Sequence, residues 1–64
     1  MNDYCKLILP TLETYAGSTG LGDPALDDSV VADLLTDLRH WCDLQSWNFA
    51  GLDRRAYNHY LHEQ

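Results

Sequence analysis

The chain has 64 residues, with ten Asp and Glu against four Lys and Arg and a formal net charge of -6 at pH 7. A field of one sign over so small a body repels nucleic acid and anionic lipid, which excludes both as expected direct ligands. Two Trp, four Tyr, one Phe and an apolar fraction of 45% mark a chain that folds, and its length predicts one helical domain, 1–64, with a thin margin of stability.

The first segment, Asn2 to Ala16, has helical spacing at Tyr4, Ile8, Leu12 and Tyr15, with Pro10 inside it. Proline lacks an N–H and crowds the preceding turn, which predicts a helix kinked near Lys6; a helix that begins at Pro10 is the alternative. The run Gly17 to Pro24 contains three Gly and one Pro and reads as the main loop. From Asp27 to Gln45, the residues Val30, Val31, Leu34, Leu35, Leu38, Trp41 and Cys42 recur at three-and-four spacing and predict the spine of the core. Asp27, Asp28 and Ser29 stand before that pattern as capping residues, while its end lacks a glycine for a left-handed cap. Asn48 caps a last helix reaching about Leu61, with Phe49, Leu52, Ala56, Tyr57 and Tyr60 on one face. Asp53 falls near the centre of that face and calls for a partner such as Arg39 or a tyrosine hydroxyl, because an unpaired buried carboxylate is costly. The fold class is therefore all-α: a compact three-helix domain with a Gly/Pro-containing loop between the first two helices and the second helix between its neighbours.

The carboxylates are the leading candidates for function. Asp33, Asp37 and His40, four and then three residues apart, form a stripe beside the apolar arc. Asp23, Asp27 and Asp28 crowd the loop and the entry to the second helix, and Asp43 adds a charge near its end. Such a set either solvates one helix face or, on a stiff body, imitates duplex phosphates and docks into a basic channel. Trp41 and Phe49 are assigned to the core, whereas Trp47, in the turn between helices, is a candidate interface anchor. Arg54 and Arg55 are the one adjacent basic pair, too few for a nucleic-acid site.

Other chemistries find weaker support. His40, Cys42, His59 and His62 supply zinc-type donors, but Cys42 belongs to the apolar arc and the spacing is not diagnostic, so no metal or other cofactor is assigned. A cysteine nucleophile needs an electropositive setting that a chain of this charge hardly provides, and a domain this small has little room for a substrate pocket; the chain reads as a non-enzyme. With no basic and apolar leader and only two cysteines, Cys5 and Cys42, reduced thiols in a bacterial cytoplasm are expected, and no stretch approaches a membrane span.

The stretch VVADLLTDLRHWCD, Val30 to Asp43, and the following NFAGLDRRAYNHYLHEQ resemble small bacteriophage and mobile-element proteins of unassigned activity, which share a DLLxDLRHWCD segment and a C-terminal RRAxxHY stretch. Asp53 departs from that pattern, which tends to be apolar there. The resemblance implies provenance more than mechanism. Small acidic phage proteins of the anti-CRISPR class act by blocking a host defence complex, some as DNA mimics. The expectation is thus a non-catalytic inhibitor that binds a basic, nucleic-acid-handling surface of a host complex such as a CRISPR-Cas effector, through Asp23, Asp27, Asp28, Asp33, Asp37, Asp43 and Trp47. The alternatives are an oligomeric phage accessory protein that associates through an aromatic or apolar patch, and a small metal-binding protein using His and Cys.

Overall fold

In the computed structural model, residues 2–18 and 27–64 are described. They form three α-helices: α1 (Asp3–Ser18), α2 (Asp28–Gln45) and α3 (Phe49–His62). None of these helices is long and apolar enough to cross a membrane.

Each helix start is written in its local chemistry. The Asn2 carboxamide oxygen accepts from the Cys5 N–H at 2.8 Å at the head of α1. Asp27, in an extended conformation, accepts from the Ser29 N–H at 2.9 Å and also from the Ser29 hydroxyl, satisfying orphan donors at the positive end of α2. Asn48 does the same for α3, accepting from the Gly51 N–H at 3.4 Å. The end of α2 uses a device the sequence does not advertise. Ser46 takes the left-handed conformation, φ 62° and ψ 32°, which exposes a Cβ to steric conflict that glycine avoids. Two backbone bonds secure it: the Ser46 N–H donates to Asp43 at 3.1 Å, and the Trp47 N–H to Cys42 at 2.8 Å. Only residues 46–48 separate α2 from the start of α3.

Pro10 lies inside α1, which runs as one helix from Asp3 to Ser18, so the helix does not begin at the proline. Proline removes the donor that would reach the Lys6 carbonyl. Downstream, the Thr14 hydroxyl donates to the Pro10 carbonyl at 3.0 Å. Gly17 and Ser18, expected in the loop, complete the last turn of α1. The rest of that expected loop lies outside the described residues.

Packing is centred on α2, as expected: α1 and α3 each pack on α2 and not on one another. The expectation of a compact body is not met. The radius of gyration is 13.2 Å, against about 10.7 Å for a compact domain of this length. The shape is flat, 33 × 32 × 15 Å. Among the described residues only Ala16 and Cys42 are buried, each 5% exposed. Trp41, expected in the core, is 53% exposed, because periodicity identifies an apolar arc wider than the two contacts that cover it. Phe49 is half-buried and lies under the Arg39 guanidinium, 4.3 Å from its ring centroid. Arg39 is thus committed to a ring rather than to Asp53. Asp53 itself is exposed, so water solvates it and the expected need for an internal partner does not arise.

Candidate functional site

The acidic residues divide into three groups. Asp33 and Asp37, one turn apart on α2, form the stripe that their spacing predicts, and both are exposed. Asp27 and Asp28 stand at the N-terminal end of the same helix. Asp43 follows Asp37 by six positions, about 240° around the helix, and belongs to a different face. Asp23 lies outside the described residues. A rigid α2 therefore brings together Asp33 and Asp37, has Asp27 at its N-terminal end, and holds apart both Asp43 and Asp28, the latter about 180° around the helix from Asp37.

Among the described residues no Asp or Glu side chain comes within 4.0 Å of a Lys, Arg or His nitrogen. No acidic side chain among the described residues is therefore neutralised by direct ion pairing. Two carboxylates do carry internal neutral partners. Asp27 is held by the Ser29 hydroxyl and then by the Ser29 N–H, which keep its carboxyl below the usual carboxylate range. Asp37 accepts the Tyr15 hydroxyl at 2.5 Å, tying α1 to α2 across 22 residues of sequence. That hydrogen bond lifts the Tyr15 phenol from 10.0 to about 12, with desolvation and the charges of Asp37 and Asp33 adding to the rise. Tyr15 was legible only as an aromatic on an apolar arc. Its role in bracing the stripe has no local signal, because its partner is on another helix.

Trp47 is exposed in the α2–α3 turn. It shares a hollow of about 560 Å³ with Ser46, Asn48, Gly51, Leu52 and Arg55. This anchor lies at the opposite end of α2 from Asp27 and Asp28, about 27 Å along the helix, and its nearby charge is the Arg55 cation. The aromatic hollow and the acidic stripe are thus separate features of opposite sign.

No group of three or more His, Cys, Asp or Glu side chains gathers with metal-binding geometry among the described residues. His62 Nδ1 lies 2.7 Å from the Asn58 carbonyl on its own helix, and Cys42 is buried whereas Cys5 is exposed, both as free thiols. No protein-family model, curated protein or solved structure matches the chain.

Proposed function

We propose that this chain is a non-catalytic binding protein, which uses the acidic edge of α2 to occupy a basic, nucleic-acid-handling surface of a host protein complex, in the manner of an anti-CRISPR inhibitor or DNA mimic. The observation that carries the reading is the absence of ion pairing: with no internal cation on Asp28, Asp33 or Asp37, their full charge is available to Lys and Arg of a partner. Stiffness adds to this. Asp37 is oriented by Tyr15 and Asp27 by Ser29, so part of the ordering cost of binding is met within the free protein. Asp27, Asp33 and Asp37 make the principal contact, Asp28 adds to the long-range field at the same end of α2, and Asp28, Asp43 and Trp47 touch the partner only if it wraps around the helix.

The test is capture from a bacterial lysate followed by binding kinetics at two salt concentrations. Charge-steered association slows as the Debye length falls from about 10 Å at 0.1 M to about 3 Å at 1 M. Reversing Asp28 and Asp33 to Lys leaves the Tyr15–Asp37 bond intact and, at two units per reversal, moves the net charge from -6 to -2. Association at low salt should then slow by about tenfold. Affinity indifferent both to salt and to this double reversal would refute the electrostatic mechanism.

A further inference from the structure

The corner between α2 and α3 holds a hollow that the acidic edge does not use. Ser46, Trp47, Asn48, Gly51, Leu52 and Arg55 line its volume of about 560 Å³, which falls within the range of small-molecule sites. Gly51, Leu52 and Arg55 follow Asn48 at offsets of three, four and seven, so the first two turns of α3 present them along one face. Gly51 leaves the middle of that face without a side chain. A Cβ built there would stand 3.8 Å from the Asn48 carboxamide nitrogen, in ordinary contact, so the missing side chain and not crowding keeps the hollow open. Trp47, 53% exposed, and the half-buried Leu52 supply its apolar surface.

The polar side chains of the hollow are dominated by donors. Arg55 offers its guanidinium N–H groups and Trp47 its indole N–H, and neither side chain can accept. Asn48 uses its carboxamide oxygen on the Gly51 N–H at 3.4 Å, which leaves the NH2 end. The Ser46 hydroxyl serves in either sense. Among the described residues, the Arg55 guanidinium, the Trp47 indole N–H and the Asn48 NH2 have no hydrogen-bond or ion-pair partner. No carboxylate lines the hollow, in a chain with ten Asp and Glu. Donors gathered around one guanidinium select an anion, and the planar fork of arginine matches a carboxylate with two parallel bonds. Charge then limits the ligand to a monoanion. One cation answers it, whereas the net -6 of the chain opposes a dianion such as a phosphate monoester about twice as strongly. Trp47 and Leu52 call for an apolar body, best a flat one that stacks on the indole.

We propose that this corner is a binding site for a small aromatic monocarboxylate, with the carboxylate on Arg55 and the Asn48 NH2 and the ring against Trp47 and Leu52. The site does not rest on the electrostatic reading of α2. It carries the opposite sign and is set apart from Asp27, Asp33 and Asp37. All of its groups come from the single stretch Ser46 to Arg55, so the turn and the Asn48 cap that start α3 also fix the site.

Titration of the isotope-labelled full chain with hydrocinnamate, followed through its amide and indole N–H resonances, tests this directly. Saturable shifts are expected at the Trp47 indole and at the Gly51 and Leu52 amides, with a dissociation constant in the millimolar range for so small a ligand, while the Trp41 indole stays in place. Hydrocinnamamide, of the same shape without the charge, should bind about tenfold more weakly, and Arg55→Gln should remove that difference. Gly51→Leu separates binding from folding. It fills the hollow with a better helix former, so binding should fall by about tenfold or more while the thermal midpoint holds or rises. Arg55 is exposed, so its variant reads the site even where the Leu variant perturbs the turn, and circular dichroism checks that both stay helical. No saturable shift, equal affinity for acid and amide, undiminished binding by both variants, or equal shifts at Trp41 and Trp47 would each overturn the proposal. None of these outcomes bears on whether the Asp28 and Asp33 reversal weakens a basic partner.

Discussion

The two seams of the molecule are built on different principles. Between α2 and α3 the connection is local: Ser46 in the left-handed region, two short-range backbone bonds, an Asn48 cap and the Arg39 guanidinium on the Phe49 ring, all within 13 residues. Between α1 and α2 the identified polar tie is the long-range bond from Tyr15 to Asp37. Local turns restrict the chain before any tertiary contact exists, whereas a distant pair has to overcome loop-closure entropy. The α2–α3 hairpin is therefore the natural first unit of folding, with α1 docking on it afterwards. The acidic edge belongs to the later event, because Asp37 gains its fixed orientation only when α1 arrives.

Three substitutions can break or sharpen that contrast. The largest effect is expected from Cys42→Asp in the last part of α2, which places a carboxylate at one of the two positions buried among the described residues. Without a partner there, about 3 kcal/mol of unfolding free energy should be lost, read from the urea midpoint of the helical signal. A loss under about 1 kcal/mol would mean that the hairpin relies on its turn rather than on burial. Ser46→Gly should act in the other direction. Glycine has no Cβ to oppose φ 62°, so a gain of about 0.5–1 kcal/mol is expected on the same urea curve. Any destabilisation would show that the serine side chain has a role beyond the backbone it holds.

The smallest effect belongs to the other seam and is best read through pH. Because the Tyr15 phenol is raised from 10.0 to about 12 in the folded state, its contribution is fully present below pH 10 and is lost as pH climbs through about 12. Thermal melts across this window should show a decline in the native protein that Tyr15→Phe abolishes, with the variant a few degrees less stable at neutral pH. An equal alkaline decline in the variant would assign it to other groups. Asp27 behaves with the opposite sign. Its lowered carboxyl contributes above the ordinary carboxylate range and loses that contribution as pH falls through its depressed value. The start of α2 should thus fray in acid, measurable by amide exchange at Ser29 and Val30.

How much of this could be read from sequence depended on whether the controlling interaction was local. Asp27 and Asn48 could be identified as caps, because a cap needs only a short side-chain oxygen at the right offset from its own helix. The three helices and the central place of α2 followed from periodicity and from the width of its apolar arc. Periodicity was silent on which part of that arc is covered, so Trp41 was assigned inside and lies outside. Composition was equally silent about Ser46, whose left-handed geometry is imposed by the hairpin rather than preferred by the residue. At the candidate site, the Asp33–Asp37 stripe was visible as a four-residue interval. Its brace by Tyr15 and its separation from Asp43 and Trp47 required the helices in three dimensions.

The half-open state of the indoles has a practical consequence. Trp41 and Trp47 are the molecule's two tryptophans, one on the apolar arc of α2 and the other in the turn beside Arg55. Each is wet enough to emit at long wavelength, and anything seated over either position would shift that emission toward the blue. The chain carries its own optical gauge of occupancy at two separate places, readable at native concentration and without attaching a dye.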